Sequence, residues 1–405
     1  MYTAKTHVCF AALSVIAAAG CGQPEGGPQF AVRDSAGIEI VENRAPSALG
    51  EAAWSVDELP SLEIGLEDGP PEYQFSQVEG ALRLPDGRVA VADGGSRETR
   101  FFDADGRFLA ASGRRGDAPG EYRQIVALGY GPGDSLWVFD YGNRRFTMLA
   151  GDGELVRTLT LDPTLSNVTA VGRLANGWFV VREFWSSARS DAAAIPLGLV
   201  RDPAAVARYA PDGAQMDTIG VFLGREIYVS TEGGRGVMST PLLAHTTSAT
   251  VHANDIFIGD QETFEVGVYT GDGALRRIIR LSGVDLRVTG DDLERAREER
   301  LASVPAERRT MMRAQLDAMD VPETRPAYSR LLVDSEGALW VGDYAPYPED
   351  PVLWRVFDAG GRLVTALQVP DRLRLFDVGA DWILGVWRDD LDVERIRLYR
   401  LRKDG

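Results

Sequence analysis

The sequence predicts an all-β fold: a six-bladed β-propeller closed by an N-terminal strand, with a helical insertion between blades four and five. Three observations carry that prediction. Asp86 to Gly106 reads as strand, turn, strand, with Asp86-Gly87 and Asp105-Gly106 as tight-turn dipeptides on either side of alternating runs. The phrase recurs, because Asp93 stands twelve residues before Asp105-Gly106, and Asp140 and Asp260 keep that offset from Asp152-Gly153 and Asp272-Gly273. Finally, the repeating unit holds four short strands in roughly 40 residues, which is the period of a propeller blade.

Residues 30–66 open with Val32 to Asn43, where Ile38, Ile40 and a turn after Asn43 suggest a strand ahead of the repeats, and continue with strand-like stretches at Trp54 and Leu62. The first unit covers 78–112 and the second 125–161, with Ser135 to Asp140 as one of its strands. The third holds Gly177 to Glu183, is interrupted, and resumes at Val206 to Tyr209. The fourth contains Asp255 to Asp260, and the fifth Ala338 to Asp343. The sixth, 374–403, stops after three strands. Its missing strand is expected from the stretch between Trp54 and Ile64, since pairing the two chain ends removes the open edges of the array.

Composition is that of an ordinary globular chain, 44% hydrophobic and 25% charged over 405 residues. A net charge of −17 argues against nucleic acid as a partner. At the N-terminus, Lys5 is followed by an apolar run from Val8 to Ala19, too short to span a bilayer. It ends at Ala18-Ala-Gly-Cys21, which resembles the bacterial lipobox, although Ala18 stands where that motif usually has Leu. The resemblance implies a signal peptide over 1–20, lipidation of Cys21, a flexible tether over 21–33 and a propeller over 34–405. It also implies an exported chain held at the envelope by lipid alone. Gly22 lacks the character of an inner-membrane retention signal, which favours the outer membrane. Cys9 and Cys21 are the only cysteines, so the expected body has no disulfide and no thiol nucleophile, and His245 and His252 are too few for a histidine-rich metal site.

The insertions point to function. In a blade whose strands run from the axis outward, the first-to-second and third-to-fourth turns share one face; here they are tight. The long segments, 113–124, 184–205, 223–246, 284–326 and 345–351, all fall on the opposite, looped face. Loops on a rigid scaffold are where binding concentrates. Within 284–326, Asp291 to Glu294 suggests a helix N-terminus, Pro305 divides two helices with Ser303 as a second cap, and Met312, Leu316 and Met319 form an apolar stripe. The stripe is expected to pack down on the propeller, with a lid over the mouth as the alternative.

Asp93, Asp140, Asp260 and Asp343 each end a second strand, with Glu183 and Asp389 in comparable places. Recurrence from blade to blade favours capping of each turn; the alternative is an acidic ring that holds Ca²⁺. Arg97 and Arg144 occupy equivalent positions and are expected to pair with aspartates of neighbouring blades, or else to bind an anion. Trp185, Tyr344 and Tyr347 lie in insertions, where aromatic rings stack on a saccharide or anchor a peptide.

Asp93 to Arg97, Phe101 to Gly106 and Gly113 to Tyr122 resemble NHL-type repeats and the bacterial six-bladed propeller lipoproteins. That resemblance implies architecture and leaves the chemistry open. Two readings follow. The favoured one is a non-catalytic, monomeric envelope module that binds a protein, peptide or saccharide through its looped face. The other is a Ca²⁺-dependent lactonase- or esterase-like hydrolase, with Asp140, Asn143, Glu183 and Asp260 as ligands.

Overall fold

The structure, a computed structural model, describes residues 30–45, 54–162, 165, 167–184, 196–232, 235–345 and 350–403. Cys21, Trp185 and Tyr347, together with the expected signal peptide, lie outside the described residues.

The chain begins with a hairpin, β1 (Phe30–Ser35) and β2 (Ile38–Arg44), so residues 30–33 of the expected tether are strand. Two short strands follow, β3 (Ser55–Val56) and β4 (Leu62–Ile64). Blade one is β5 (Val78–Arg83), β6 (Val89–Asp93), β7 (Glu98–Phe102) and β8 (Phe108–Ser112). Blade two is β9 (Ile125–Tyr130), β10 (Leu136–Asp140), β11 (Arg145–Leu149) and β12 (Leu155–Thr160). Blade three contains β13 (Val168–Arg173), β14 (Phe179–Phe184), β15 (Gly198–Tyr209), β16 (Met216–Glu232) and β17 (Arg235–Ser239). Blade four has β18 (Ser248–His252), β19 (Asp255–Gly259), β20 (Glu265–Thr270) and β21 (Leu275–Ser282).

Between blades four and five the chain forms α1 (Gly290–Ala302) and α2 (Arg309–Asp317). Blade five is β22 (Tyr328–Val333), β23 (Leu339–Asp343), β24 (Leu353–Phe357) and β25 (Leu363–Gln368). Blade six is β26 (Leu373–Val378), β27 (Trp382–Arg388) and β28 (Glu394–Arg402).

The innermost strands touch in a closed cycle, β5 to β9, β13, β18, β22, β26 and back to β5, which makes the sheets a six-bladed propeller around one axis. Backbones approach closely there. A Cβ on Gly80 of β5 would sit 2.7 Å from Leu128 of β9, and one on Gly172 of β13 would sit 2.3 Å from Val251 of β18. The ring closes as the pattern predicts: β4 pairs with β28 through Ile396 and Ile64, and β3 pairs with its C-terminal end. Ile64, 2% exposed, packs with Val78, Val386 and Ile396, so the seam between blades six and one shares a core.

The hairpin β1–β2 has a role the sequence pattern did not suggest. It adds to the outer edge of blade four, with β2 parallel to β21 and Ile40 opposite Ile278. Asn43, 2% exposed, donates to the Gly361 carbonyl at 2.9 Å and accepts from the Leu363 amide at 2.8 Å, tying this edge to blade five.

Two insertions are more regular than their sequences suggest. Segment 184–205 becomes strand from Gly198 onward, and 223–246 is mainly the distal half of β16 with β17 folded against it. Helix α1 starts two residues earlier than expected. Its N-cap is Thr289, whose Oγ1 accepts from the Asp292 amide at 3.2 Å while Asp292 accepts from the Thr289 amide at 2.9 Å. Ser303 is the C-cap of α1 and no second N-cap. Leu316 and Met319 bury against Leu242 and Leu243, with Met312 and Tyr344 on the margin. The apolar stripe is therefore consumed in packing on the blade-three extension.

Candidate functional site

The recurring aspartates hold turns. Asp140 is fully buried; it accepts from the amides of Arg123 at 3.2 Å, Gln124 at 2.9 Å and Asn143 at 3.3 Å, and from Asn143 Nδ2 at 2.7 Å. Asp93 repeats the arrangement with the Ser76 amide at 3.0 Å and the buried Arg100 at 3.3 Å. Asp260 accepts from the Glu262 amide at 3.1 Å, and Asp343 makes a two-pronged pair with Arg355, both bonds at 2.8 Å. Burial pushes the Asp343 carboxyl up, and the Arg355 pair works against that shift. Glu183 is 7% exposed.

Arg97 and Arg144 differ from expectation. Both adopt left-handed backbone, φ 63° and 50°, and their guanidinium groups donate to backbone carbonyls, not to aspartates. Arg97 Nε reaches the Arg123 carbonyl at 2.9 Å and Arg144 Nη1 the Leu165 carbonyl at 3.4 Å, so each links two blades. The structure joins Asp140 to Asn143 but leaves Asp260 on another blade. Among the described residues no group of three or more His, Cys, Asp or Glu side chains gathers around a metal position. His245 is buried, with Nδ1 2.8 Å from Glu226.

A different set of residues converges on the axis. The six innermost strands enclose a channel of about 590 Å³. On the looped face it meets a cleft of about 570 Å³ between blades five and six, and Ser329, Arg330 and Arg374 line both. The placement follows from strand direction. Innermost strands begin at the looped face, so Glu79, Arg330 and Arg374, early in β5, β22 and β26, stand at its mouth. Arg182, near the end of β14, reaches the same level from blade three.

The electrostatics of this mouth are unbalanced. Arg330 and Arg374 lie over one ring, with their guanidinium carbons 5.2 and 4.9 Å from the Phe376 centroid. The nearest carboxylate is Glu79, 3.9 Å from Arg374. Desolvation pushes Arg330 down to about 9, with Arg374 adding repulsion. Desolvation alone takes Arg182 down to about 10. Arg330 and Arg182 are half-buried and stay protonated at neutral pH, whereas Arg374 is 47% exposed and its charge is partly screened by solvent. Glu79 is raised, again first by desolvation and against the pull of Arg374. The other cleft arginines are occupied, Arg388 by Glu394 at 2.5 Å and Arg372 by Asp390. Trp354, 3% exposed on the cleft wall, has an Nε1–H with no acceptor.

Asp377 and Tyr130, at the far end of the channel lining, form a polar link between blades. Asp377 of blade six accepts from the Arg83 amide at 3.0 Å and from the Tyr130 hydroxyl, linking blades six, one and two. Desolvation pushes Asp377 up to about 6, against the hydrogen bonds from Tyr130, Arg83 and Val378 and the charge of Arg83. Between roughly pH 4 and 6 the folded protein holds a proton that the unfolded chain has released, so stability falls as pH rises through that window. Asp377→Asn is expected to flatten this part of the curve of melting temperature against pH. An unchanged slope would show that Asp377 does not titrate there.

Sequence patterning missed these residues because each sits in a strand that reads as ordinary. The available signal was a charge inside an innermost strand: Glu79 and Arg83 in Val78–Arg83, Arg330 in Tyr328–Val333, and Arg374 and Asp377 in Leu373–Val378.

No family model matches the chain, and no curated protein is similar to it in sequence. Solved structures are similar in fold. A member of the DUF4221 family from Bacteroides vulgatus overlays with TM-score 0.52 at 9% identity, across 86% of this chain and 98% of that one. A protein from Bacteroides fragilis, described as exported, gives TM-score 0.50 at 12% identity across 90% of this chain and 99% of the other. A gluconolactonase from Xanthomonas campestris overlays at TM-score 0.42, with 11% identity over 86% and 100% of the two chains. At these identities the likeness concerns the fold. Among the described residues no helix is long and apolar enough to cross a membrane.

Proposed function

We propose that this protein is an exported, lipid-anchored envelope propeller that binds a ligand without catalysis, and that the binding site is the looped-face mouth between blades five and six. The observation that carries the reading is the junction of cleft and channel at Arg330 and Arg374, where two cations border a cavity of ligand size. The helical insertion borders this site, since Arg295 of α1 holds Asp350 on the cleft rim at 2.8 Å. Ala18-Ala-Gly-Cys21 supplies the anchor, and outer-membrane placement follows from the residue after it. The alternative is a Ca²⁺-dependent hydrolase; of its candidate ligands, Asp140 and Asp260 accept hydrogen bonds from turn amides on different blades.

The test compares the native envelope protein with Ala345→Trp, which narrows the cleft at its rim. Both are purified from the envelope, and their bound small molecules and partners are identified by mass spectrometry. The expected result is a species retained by the wild type and lost from the variant at equal melting temperature, with a lipid mass on Cys21. Identical retention by both proteins would rule out the cleft as the site, and an unmodified N-terminus would rule out the anchor.

A further inference from the structure

We infer that the ligand held at the junction of cleft and channel is a monocarboxylate with an apolar body. The inference rests on the binding reading above and specifies its chemistry.

The local charge count sets the head group. Arg330 and Arg374 share one nearby carboxylate, Glu79, while Arg372 and Arg388 are neutralised by Asp390 and Glu394. Among the described residues Arg330 has no ion-pair partner and stacks on Phe376, so it is the cation that a single carboxylate in the cleft would meet. A more highly charged anion meets an acidic rim, since Asp350, Asp389, Asp390 and Asp392 all border the cleft, and the chain carries a net charge of −17.

The strand register places the cleft wall beside the Arg330 cation. Arg330 pairs with Gly342 and Gly342 with Trp354, and a Cβ on Gly342 would stand only 3.3 Å from the indole ring, so the Trp354 ring packs close across the blade from Arg330.

The wall sets the body. Val352, Trp354, Leu373, Leu375 and Val386 line the cleft beside the arginines. Burying an alkyl group there is expected to strengthen binding about fourfold per methylene.

The experiment uses the intact protein with octanoate, octanamide, octylamine and inorganic phosphate as probes in isothermal titration calorimetry. Octanoate is expected to bind at least about tenfold more tightly than octanamide, the scale of a charge-assisted hydrogen bond. Octylamine and phosphate are expected not to compete. Arg330→Met is expected to weaken octanoate to the level of octanamide without lowering the melting temperature of the free protein. A merely structural arginine would lower the melting temperature and leave the selectivity intact. Equal binding of octanoate and octanamide overturns the carboxylate assignment and leaves the cleft as a binding site. If neither probe binds while the envelope protein still loses its retained species in Ala345→Trp, the ligand class is wrong and the site stands.

Discussion

Replacing residues 54–64 with a glycine–serine linker of equal length is expected to abolish the single cooperative melting transition and to make the protein associate. β3 and β4 supply the outer strand of blade six, with Ile64, Glu63 and Leu62 opposite Ile396, Arg397 and Leu398. Side chains reinforce the pairing: Arg397 holds Glu63 at 2.6 Å, Arg402 holds Asp57 at 2.6 Å, and Trp54 packs on Trp340 with centroids 5.9 Å apart. Without these strands β28 becomes an unpaired edge, open to another chain. The single-residue version, Ile64→Ala, is expected to lose about 2–5 kcal/mol, because Ile64 joins the cores of blades six and one. Calorimetric melting and size-exclusion chromatography read both effects. A wild-type transition from the linker variant would mean that the ring holds without its clasp.

Asp140→Ala is expected to destabilise the protein by about 3–5 kcal/mol while leaving ligand binding at the blade five–six cleft unchanged. The carboxylate is fully buried and collects three backbone amides and the Asn143 side chain. Arg145, 4.0 Å away and itself buried, would lose its nearest anion. Its remaining contacts are the carbonyls of Asp117, Ala118 and Glu121 in the connection from blade one. The variant therefore unpins that connection as well as its own turn. Chemical denaturation measures the loss. A small stability change accompanied by lost binding would instead place Asp140 in the site.

The two expectations separate residues that repeat from residues that do not. Asp93 and Asp140 recur because each blade needs the same turn, and a turn is a local problem with a local solution. Glu79, Arg182, Arg330 and Arg374 recur nowhere and come from four different blades. Their side chains share a cavity only because the ring closes. The same holds for the hairpin β1–β2, whose pairing with β21 spans more than half of the chain. No pattern within a short window reports a contact of that range.

The sequence by itself determined the blade count, the tight and looped faces, the missing strand and its donor, and the helical insertion. These follow from hairpin periodicity, turn residues and the rule that sheet edges must be paired, all of which act over a few residues or count whole units. Tertiary structure alone decided where the unbalanced charge lies. Insertions, the most visible departure from the repeat, proved to be largely packed structure: strand in β15 and β16, helix against Leu242 and Leu243. The candidate site lies instead within the innermost strands, beneath the loops. There the curvature of the ring, which no short stretch of sequence encodes, brings arginines from several blades to one mouth.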